Sequence, residues 1–172
     1  FNDNMLTDDK YHQYLGNAIP KVNLGWSNTL SYKGFDLNMQ FTGQFGAKIL
    51  NEARAYYENN AVVYNRLKSA AEKQYGQNVL SIAQKQTFVS YYLENGNYVK
   101  LSNLTLGYTV PLKSNKYAKN IYVYLSGSNL FTITGYKGLD PELSNIDPLS
   151  SGIDWRDKYP SIRTFTLGAK FT

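Results

Sequence analysis

Apolar and polar residues alternate with a period of two along residues 22–45. In the second half of this stretch the odd positions are apolar, with Gly43 the only gap, and the even positions are polar. Successive side chains of a β-strand point to opposite faces, so this pattern predicts strands with one apolar and one polar face. Lys33-Gly34 predicts a tight turn between them. The stretch therefore predicts a β-hairpin with arms at about 22–32 and 35–46.

The same alternation predicts three further strands, at about 98–110, 121–131 and 162–172. In the first of these, the parity of the apolar positions changes at Ser102-Asn103. An extra residue in one strand shifts its side chains to the opposite faces, so this change predicts a β-bulge.

The periodicity becomes helical between the hairpin and the third strand. Apolar residues at helical spacing predict one short helix over 49–57 and another over 61–75. A helical insertion of this kind is unusual in a soluble β-sandwich and ordinary in a long functional loop. Residues 1–20 predict a polar loop, and the GLDPE stretch at 138–142 predicts a turn around Pro141.

The connections between the predicted strands alternate in length, with 33–34 and 111–120 short and 47–97 and 132–160 long. Outer-membrane barrels combine short periplasmic turns with long extracellular loops, whereas a soluble sheet with one buried face has no reason for this alternation. The strand lengths also match the about 9–11 residues that cross a bilayer. We therefore predict an all-β fold of antiparallel transmembrane β-barrel strands with long extracellular loops, one of which contains short helices.

Five strands are too few to close a membrane barrel, which needs about eight. The sequence also opens at Phe1 without a methionine or a signal peptide. We therefore expect residues 1–172 to be the C-terminal segment of one larger transmembrane β-barrel domain, whose plug domain is not in this chain.

Composition excludes several other classes of protein. The net charge is +5, but the basic residues are scattered singly, so no nucleic-acid-binding patch is expected. The chain has no cysteine, which excludes disulfides and thiol catalysis. No apolar run is long enough for a membrane helix. Tyrosine supplies 16 aromatic residues against 8 Phe and 2 Trp, and its amphipathic ring suits binding loops and membrane interfaces.

Catalytic and metal-binding residues are scarce. His12 is the only histidine and lies in a polar loop, so we predict no enzyme activity, no catalytic residues, no cofactor and no metal. Carboxylates in the last long loop could supply the oxygen ligands of calcium. They lack the spacing of an EF-hand, however, and a solvated loop is the favoured interpretation for Asp140, Glu142, Asp147, Asp154 and Asp157.

Two groups of residues are candidates for contact with a transported substrate. The polar face of the second strand is expected to line a lumen with Asp36, Asn38, Gln40, Thr42 and Gln44. Aromatic faces suit the apolar faces of sugars, so tyrosines of the long loops are candidates for substrate or partner contact. For any single tyrosine, local packing is the favoured alternative. The candidates are Tyr56, Tyr57, Tyr91 and Tyr136.

Four stretches resemble the C-terminal barrel strands of the SusC/RagA family of TonB-dependent outer-membrane transporters. They occur in the family's order, cover well over half of the chain, and read IPKVNLGWSNTLSYKGFDLNMQFTGQFG (19–46), ENGNYVKLSNLTLGYTVP (94–111), IYVYLSGSNLFTITGYKGLDPE (121–142) and YPSIRTFTLGAKFT (159–172). The chain departs from the family at its last residue. Members usually end on an aromatic residue, whereas this sequence ends at Thr172 after Phe171.

The resemblance implies a barrel of about 22 strands filled by a plug. It also implies energisation by the TonB complex, a SusD-like surface lipoprotein as a lid, and contact with membrane lipid. The implied location is the outer membrane of a Bacteroidota-type Gram-negative bacterium, and the implied activity is import of oligosaccharides or peptides. Two alternatives from other classes remain, a soluble secreted glycan-binding β-domain and a passive porin without a plug.

Overall fold

The computed structural model describes residues 12–58, 65–71, 90–112, 119–143 and 150–172. The chain divides into two compact units. We call them the sheet unit (Lys21–Phe45, Asn97–Gly135 and Pro160–Thr172) and the loop unit (Phe1–Pro20, Gly46–Gly96 and Tyr136–Tyr159). The described elements are β1 (Val22–Tyr32), β2 (Phe35–Phe45), β3 (Lys48–Asn51), α1 (Glu52–Tyr57), β4 (Leu93–Asn95), β5 (Tyr98–Pro111), β6 (Asn120–Thr134), β7 (Ile153–Asp154) and β8 (Thr164–Phe171). Short 3-10 helices span Lys68–Ala71 and Ser90–Tyr92.

The sheet unit contains a five-stranded antiparallel sheet in the order β1-β2-β5-β6-β8. At one end of this sheet, Tyr32 pairs with Phe35 and Pro111 pairs with Asn120. At the other end, Tyr98 pairs with Gln44. The two short connections therefore join strands at one end of the sheet, and the two long connections join them at the other, as the connection lengths predicted.

The ends of the strands differ slightly from the pattern in the sequence. β6 runs past its predicted end to Thr134 because its pairing with β5 continues as far as Tyr98. β8 starts at Thr164 rather than at Ile162. The carbonyl of Ile162 instead accepts a hydrogen bond from the side chain of Asn129 (3.1 Å), so the chain is held there by a side chain rather than by the strand ladder.

The predicted β-bulge in β5 is confirmed. Gln40 pairs with Asn103 whereas its neighbour Phe41 pairs with Leu101, which leaves Ser102 as the extra residue. The bulge restores the parity of the apolar positions after Leu101, so both halves of β5 place their apolar side chains on the same face.

The register collects the apolar positions of all five strands on one face of the sheet. A row of leucines crosses the sheet through successive pairs, in the order Leu30, Leu37, Leu106, Leu125 and Leu167. The adjacent row is entirely polar and consists of Thr29, Asn38, Thr105, Ser126 and Thr166. Leu106 and Leu125 are half exposed, and Leu167 is 77% exposed.

Two tyrosines of β6 lie across the polar face of the sheet. The rings of Tyr122 and Tyr124 stack with their centroids 5.9 Å apart. A Cβ atom at Gly107 would collide with Tyr122, and one at Gly168 would collide with Tyr124. These two glycines therefore provide the space that the rings occupy.

The loop unit contains a three-stranded sheet in the order β4-β3-β7, from which the chain passes directly into α1. The side-chain oxygen of Asn51 accepts a hydrogen bond from the N–H of Arg54 (2.8 Å) and so caps the helix. The predicted helix over 49–57 was wrong at its start. Ile49 and Leu50 lie on β3 because pairing with β4 and β7 outweighs their helix propensity, and α1 begins at Glu52.

The second predicted helix, 61–75, lies partly outside the described residues. Over 65–71 the prediction was wrong, because only Lys68–Ala71 is helical there and it forms a 3-10 turn. Asn65 has φ +54°, a value that a right-handed helix does not accommodate. None of the described helices is both long and apolar enough to cross a membrane.

Candidate functional site

A cluster of charged and aromatic side chains surrounds Arg54 in the loop unit. Its Nη1 lies 3.0 Å from Oε1 of Glu94, and its Nε lies 3.1 Å from Oε2 of Glu58. The guanidinium also lies over the rings of Tyr91 and Tyr92, at 4.6 Å and 5.6 Å from their centroids. Arg54 thus connects α1 to β4 and to the 3-10 turn before it. We call these five residues the Arg54 cluster.

The charges of the Arg54 cluster stabilise each other inside the unit. Burial by itself disfavours the charged guanidinium, but the hydrogen bond with Glu94 and the charge of Glu58 outweigh it, so the pKa of Arg54 is raised. The side chain of Glu58 is fully buried. A buried ion pair of this kind fixes the geometry of its surroundings because breaking it leaves a charge inside the protein. The cluster is therefore a structural support.

A second buried group surrounds Lys158. Its ammonium donates hydrogen bonds to the carbonyl oxygens of Asp140 (2.6 Å) and Glu142 (3.0 Å) and lies 3.9 Å from Oδ1 of Asp154. The hydroxyl of Tyr136 donates to the other oxygen of Asp154. Burial, with the hydrogen bond to Asp154 in addition, raises the pKa of Tyr136 well above its ordinary value, so the phenol stays neutral. We call these residues the Lys158 cluster.

The Lys158 cluster corrects the expectation of solvated carboxylates for Asp140 and Asp154, whereas Glu142 and Asp157 are exposed as expected. Asp140 and Asp154 are only 6% and 3% exposed. The ammonium of Lys158 supplies a positive charge among the oxygens of this cluster. For the carboxylates of this loop, the sequence had suggested a calcium ion as one alternative. Asp147 lies outside the described residues. Within the described part of the chain, no group of three or more His, Cys, Asp or Glu residues could hold a metal ion.

An open depression of about 450 Å³ lies on the loop unit and is lined by Glu52, Trp155, Arg156 and Asp157. The Nε of Arg156 lies 3.5 Å from Oε1 of Glu52, and its guanidinium lies 4.4 Å from the ring centroid of Tyr56. Oε2 of Glu52 is buried and has no hydrogen-bond partner among the described residues. Trp155 and Tyr56 are 41% and 40% exposed. We call this feature the Trp155 depression.

The Trp155 depression combines the properties of a recognition surface. The rings of Trp155 and of the neighbouring Tyr56 offer flat apolar area, and the guanidinium of Arg156 offers donors. Ligand sites combine aromatic lining with a few convergent polar groups. Trp, Tyr and Arg are also the residues that contribute most energy in protein interfaces. The depression can therefore hold either a small ligand or part of a protein partner.

The structure distributes the four candidate tyrosines over three places. Tyr56 lies under Arg156 at the Trp155 depression, and Tyr57 contacts Tyr56 edge-on with centroids 5.1 Å apart. Tyr91 belongs to the Arg54 cluster. Tyr136 is 6% exposed inside the Lys158 cluster and has little surface to offer. The contact of these residues with a substrate or a lipoprotein stays a prediction.

The candidate wall residues all lie on the polar face of β2, as the alternation predicted. They are Asp36, Asn38, Gln40, Thr42 and Gln44. Hydroxyls of β1 donate to Asp36 and Asn38, and a hydroxyl of β5 hydrogen-bonds with Thr42. Gln40 is exposed. Whether this face lines a lumen stays a prediction.

Sequence reasoning missed Arg54, Glu52, Trp155 and Arg156. For Arg54 a signal was present, because its spacing from Glu58 is the i, i+4 spacing of a helical ion pair. Trp155 is one of only two tryptophans, and it stands among charged residues in a loop. The pairing of Glu52 with Arg156 spans about 100 residues and leaves no local pattern.

Comparison with known proteins shows similarity along nearly the whole chain. TonB-dependent receptor P3 of Formosa agariphila is 30% identical over 178 residues, which cover 97% of this chain and 18% of the receptor. TonB-dependent receptor SusC of Bacteroides thetaiotaomicron is 28% identical over 163 residues, which cover 86% of this chain and 14% of SusC. No protein-family model matches the chain.

Solved structures show the same similarity in the fold. The RagAB peptide importer in its closed-closed state superposes with a TM-score of 0.75 at 25% identity, over 92% of this chain and 18% of that one. A second structure of the RagAB peptide transporter gives a TM-score of 0.74 at 26% identity. The chain thus spans less than a fifth of the length of these relatives.

The sheet and these similarities assign the chain in two steps. An antiparallel sheet with one apolar face and one polar face, which superposes on these transporters, has the fold of transmembrane β-barrel strands. The chain is homologous to TonB-dependent receptors of the SusC/RagA family, so the resemblance in its four stretches is confirmed. The relatives are named as receptors and importers and not as enzymes.

Proposed function

We propose that this chain is the C-terminal segment of an active nutrient importer of the SusC/RagA type in a Gram-negative outer membrane. The exposed apolar face of the five-stranded sheet carries the proposal. Monomeric soluble proteins rarely expose an apolar surface that spans five strands. β1 and β2 each contain 11 residues, and a transmembrane strand needs about 9–11. Lipid on the apolar face and water on the polar face satisfy both sides of the sheet.

In this proposal the sheet unit is wall of a larger barrel. Residues outside this chain supply the remaining strands of a barrel that has about 22 strands in total. They also supply the plug and the contacts with the TonB complex. The short connections face the periplasm, and the long connections 47–97 and 132–160 face the outside. The segment itself has no catalytic role.

The proposed cargo is an oligosaccharide or a peptide, captured together with a SusD-like surface lipoprotein. Similarity to the RagAB peptide importer supports the peptide class, and the oligosaccharide class is what the resemblance to the SusC/RagA family implies. The Trp155 depression supplies contact area for the cargo or for the lipoprotein, because its aromatic rings and guanidinium are accessible on the loop unit.

The proposal is tested with the full-length protein that contains this segment. It should sediment with the outer membrane and require detergent for extraction, and uptake of its cargo should stop when the TonB complex is deleted. A soluble glycan-binding domain would be recovered without detergent. A passive porin would continue to transport without TonB. Either result would refute the proposed function.

The role of the depression is tested separately by Trp155→Ala. Truncation of an aromatic anchor in an interface costs at least about 2 kcal/mol, so binding of the cargo or of the lipoprotein should weaken at least about thirtyfold. Tyr159→Ala is the matched control, since Tyr159 is an aromatic residue of the same unit that is 82% exposed and does not line the depression. Equal affinities for both variants and the wild type would exclude the depression as a contact surface.

A further inference from the structure

The guanidinium of Arg156 is oriented by two side chains of α1. Its Nε lies 3.5 Å from Oε1 of Glu52, and its central carbon lies 4.4 Å from the ring centroid of Tyr56. Glu52 and Tyr56 are four residues apart on the helix, so both lie on the side that contacts the guanidinium. Such contacts restrict a long side chain before any ligand binds. Arg156 is therefore partly preorganised where it lines the Trp155 depression.

The outer end of the same guanidinium is open. Among the described residues, its two Nη atoms have no hydrogen-bond or ion-pair partner, and the side chain is 46% exposed. We call these two atoms the fork of Arg156. A guanidinium fork carries parallel N–H donors that match the two oxygens of a carboxylate. The fork of Arg156 is thus suited to a carboxylate that enters the depression.

Arg54 demonstrates, in the same unit, that one guanidinium accommodates a second carboxylate. Its Nε lies 3.1 Å from Glu58, and its central carbon lies 4.6 Å from the ring centroid of Tyr91. Its Nη1 lies in addition 3.0 Å from Glu94. Arg156 has counterparts of the first two contacts, but within the described part of the chain no carboxylate takes the place of Glu94. A ligand carboxylate would complete the arrangement that Arg54 already has.

The other residues that line the depression limit what it can bind. Glu52 contacts Nε from behind, and its side chain is only 11% exposed. Asp157 is exposed and forms no ion pair with Arg156, so its charge opposes an incoming anion. A carboxylate must therefore be held by short contacts with the fork rather than by the overall charge of the depression. Trp155 is 41% exposed and offers apolar area beside the fork.

We propose that the Trp155 depression binds a carboxylate of the cargo through the fork of Arg156, with the adjoining part of the cargo against the ring of Trp155. This inference rests on the proposed function, because it names the chemical group of the imported cargo that the depression recognises. The carboxylate can belong to the C-terminus or an acidic side chain of a peptide, or to a uronic acid of an oligosaccharide. A neutral amide or ester at the same position lacks the charge that the fork recognises.

The test measures binding to the full-length protein by isothermal titration calorimetry with two matched pairs of probes. One pair is an alanine-rich peptide with a free C-terminal carboxylate and the same peptide with a C-terminal amide. The other pair is an oligogalacturonate and its methyl ester. The wild type should bind the acid member of at least one pair about tenfold more tightly than the neutral member, because hydrogen bonds to a charged group are the stronger ones. Preference within one pair alone identifies the source of the carboxylate.

Four variants separate the fork from its surroundings. Arg156→Met should abolish the preference for the acid member, and Arg156→Lys should keep about a threefold preference, because an ammonium retains the charge but not the fork. Asp157→Asn should raise the affinity for the acid member about threefold, since it removes an opposing charge. Arg66→Met is the matched control, because Arg66 is an exposed arginine of the same unit that does not line the depression.

Three outcomes would overturn the proposal. They are a wild type that prefers the acid member of neither pair, a preference that survives in Arg156→Met, and an equal loss of preference in Arg66→Met. If Arg156→Met weakens binding of the lipoprotein while the preference remains, the fork serves the partner and the proposal is wrong. The preference compares two probes on one protein in detergent, so it does not depend on the TonB complex. Uptake that continues without TonB would refute the proposed import function and leave the result with the probes unaffected.

Discussion

Replacing Arg54 by methionine should open the loop unit locally while leaving the sheet unit folded. Methionine keeps much of the apolar stem of arginine but removes the guanidinium. The change takes away the ion pairs with Glu94 at 3.0 Å and with Glu58 at 3.1 Å, together with the stacking over Tyr91 at 4.6 Å. The carboxylate of Glu58 then loses the cation beside it in a fully buried position.

The size of the effect follows from that burial. Removing one partner of a buried ion pair costs about 3–5 kcal/mol, because the remaining charge stays inside the protein. Arg156 provides a matched comparison in the same unit. It also pairs with a glutamate, at 3.5 Å, and lies over a tyrosine ring at 4.4 Å, but its side chain is 46% exposed. Water screens such a pair, so Arg156→Met should cost only about 0–1 kcal/mol.

Hydrogen exchange followed by mass spectrometry on the full-length protein measures both variants. Peptides that cover 46–58 and 90–96 should exchange between about a hundredfold and a few thousandfold faster in Arg54→Met, and at most about fivefold faster in Arg156→Met. Arg54→Lys should be intermediate, because an ammonium keeps the charge but not the planar fork. Addition of Glu58→Gln to Arg54→Met should recover part of the loss, since the buried charge is then absent.

Equal exchange in Arg54→Met and Arg156→Met would refute this reasoning. That result would mean that the burial of the Arg54 cluster does not determine its contribution. Faster exchange in the strands of the sheet unit would refute the expected confinement to the loop unit.

Three further predictions concern the two units. Met39→Arg should cost about 2–4 kcal/mol in refolding into lipid vesicles if Met39 faces mid-membrane, whereas Gln40→Arg on the polar face should change the refolding free energy little. Gly168→Ala should cost about 1–3 kcal/mol in the same assay because its Cβ meets the ring of Tyr124, while Gly25→Ala, with open space around it, should be neutral. Because the pKa of Tyr136 is raised in the folded loop unit, its contribution to the free energy of unfolding is complete at pH values below the unfolded pKa of 10. This contribution should fall by about 1.4 kcal/mol per pH unit above pH 10. Limited proteolysis between pH 8 and pH 11 should show a decline that Tyr136→Phe lacks.

The site could be predicted from the sequence only in part. The polar face of β2 was predictable residue by residue, since Asp36, Asn38 and Gln40 follow strict alternation. The aromatic candidates were not, because tyrosine content does not distinguish the half-exposed Tyr56 from the buried Tyr136. The calcium option for the last loop failed to anticipate Lys158, whose ammonium reaches two backbone carbonyls that sequence reasoning does not place together.

The sequence by itself determined the sheet. Because side chains alternate along any strand, the spacing of Phe35, Leu37 and Met39 predicts the apolar face. The change of parity at Ser102 predicts the bulge. Connection lengths determine which strand ends lie together, because a short connection joins the adjacent ends of two consecutive antiparallel strands. These are local or periodic properties, and they do not depend on distant contacts.

Only the tertiary structure decided the loop unit. Ile49 and Leu50 have apolar side chains at helical spacing, yet they form β3 because β4 and β7 pair with them from distant parts of the chain. Glu52 meets Arg156 in the same way across about 100 residues. Such pairings depend on which backbone groups and charges meet after folding, and no periodicity along the chain predicts them.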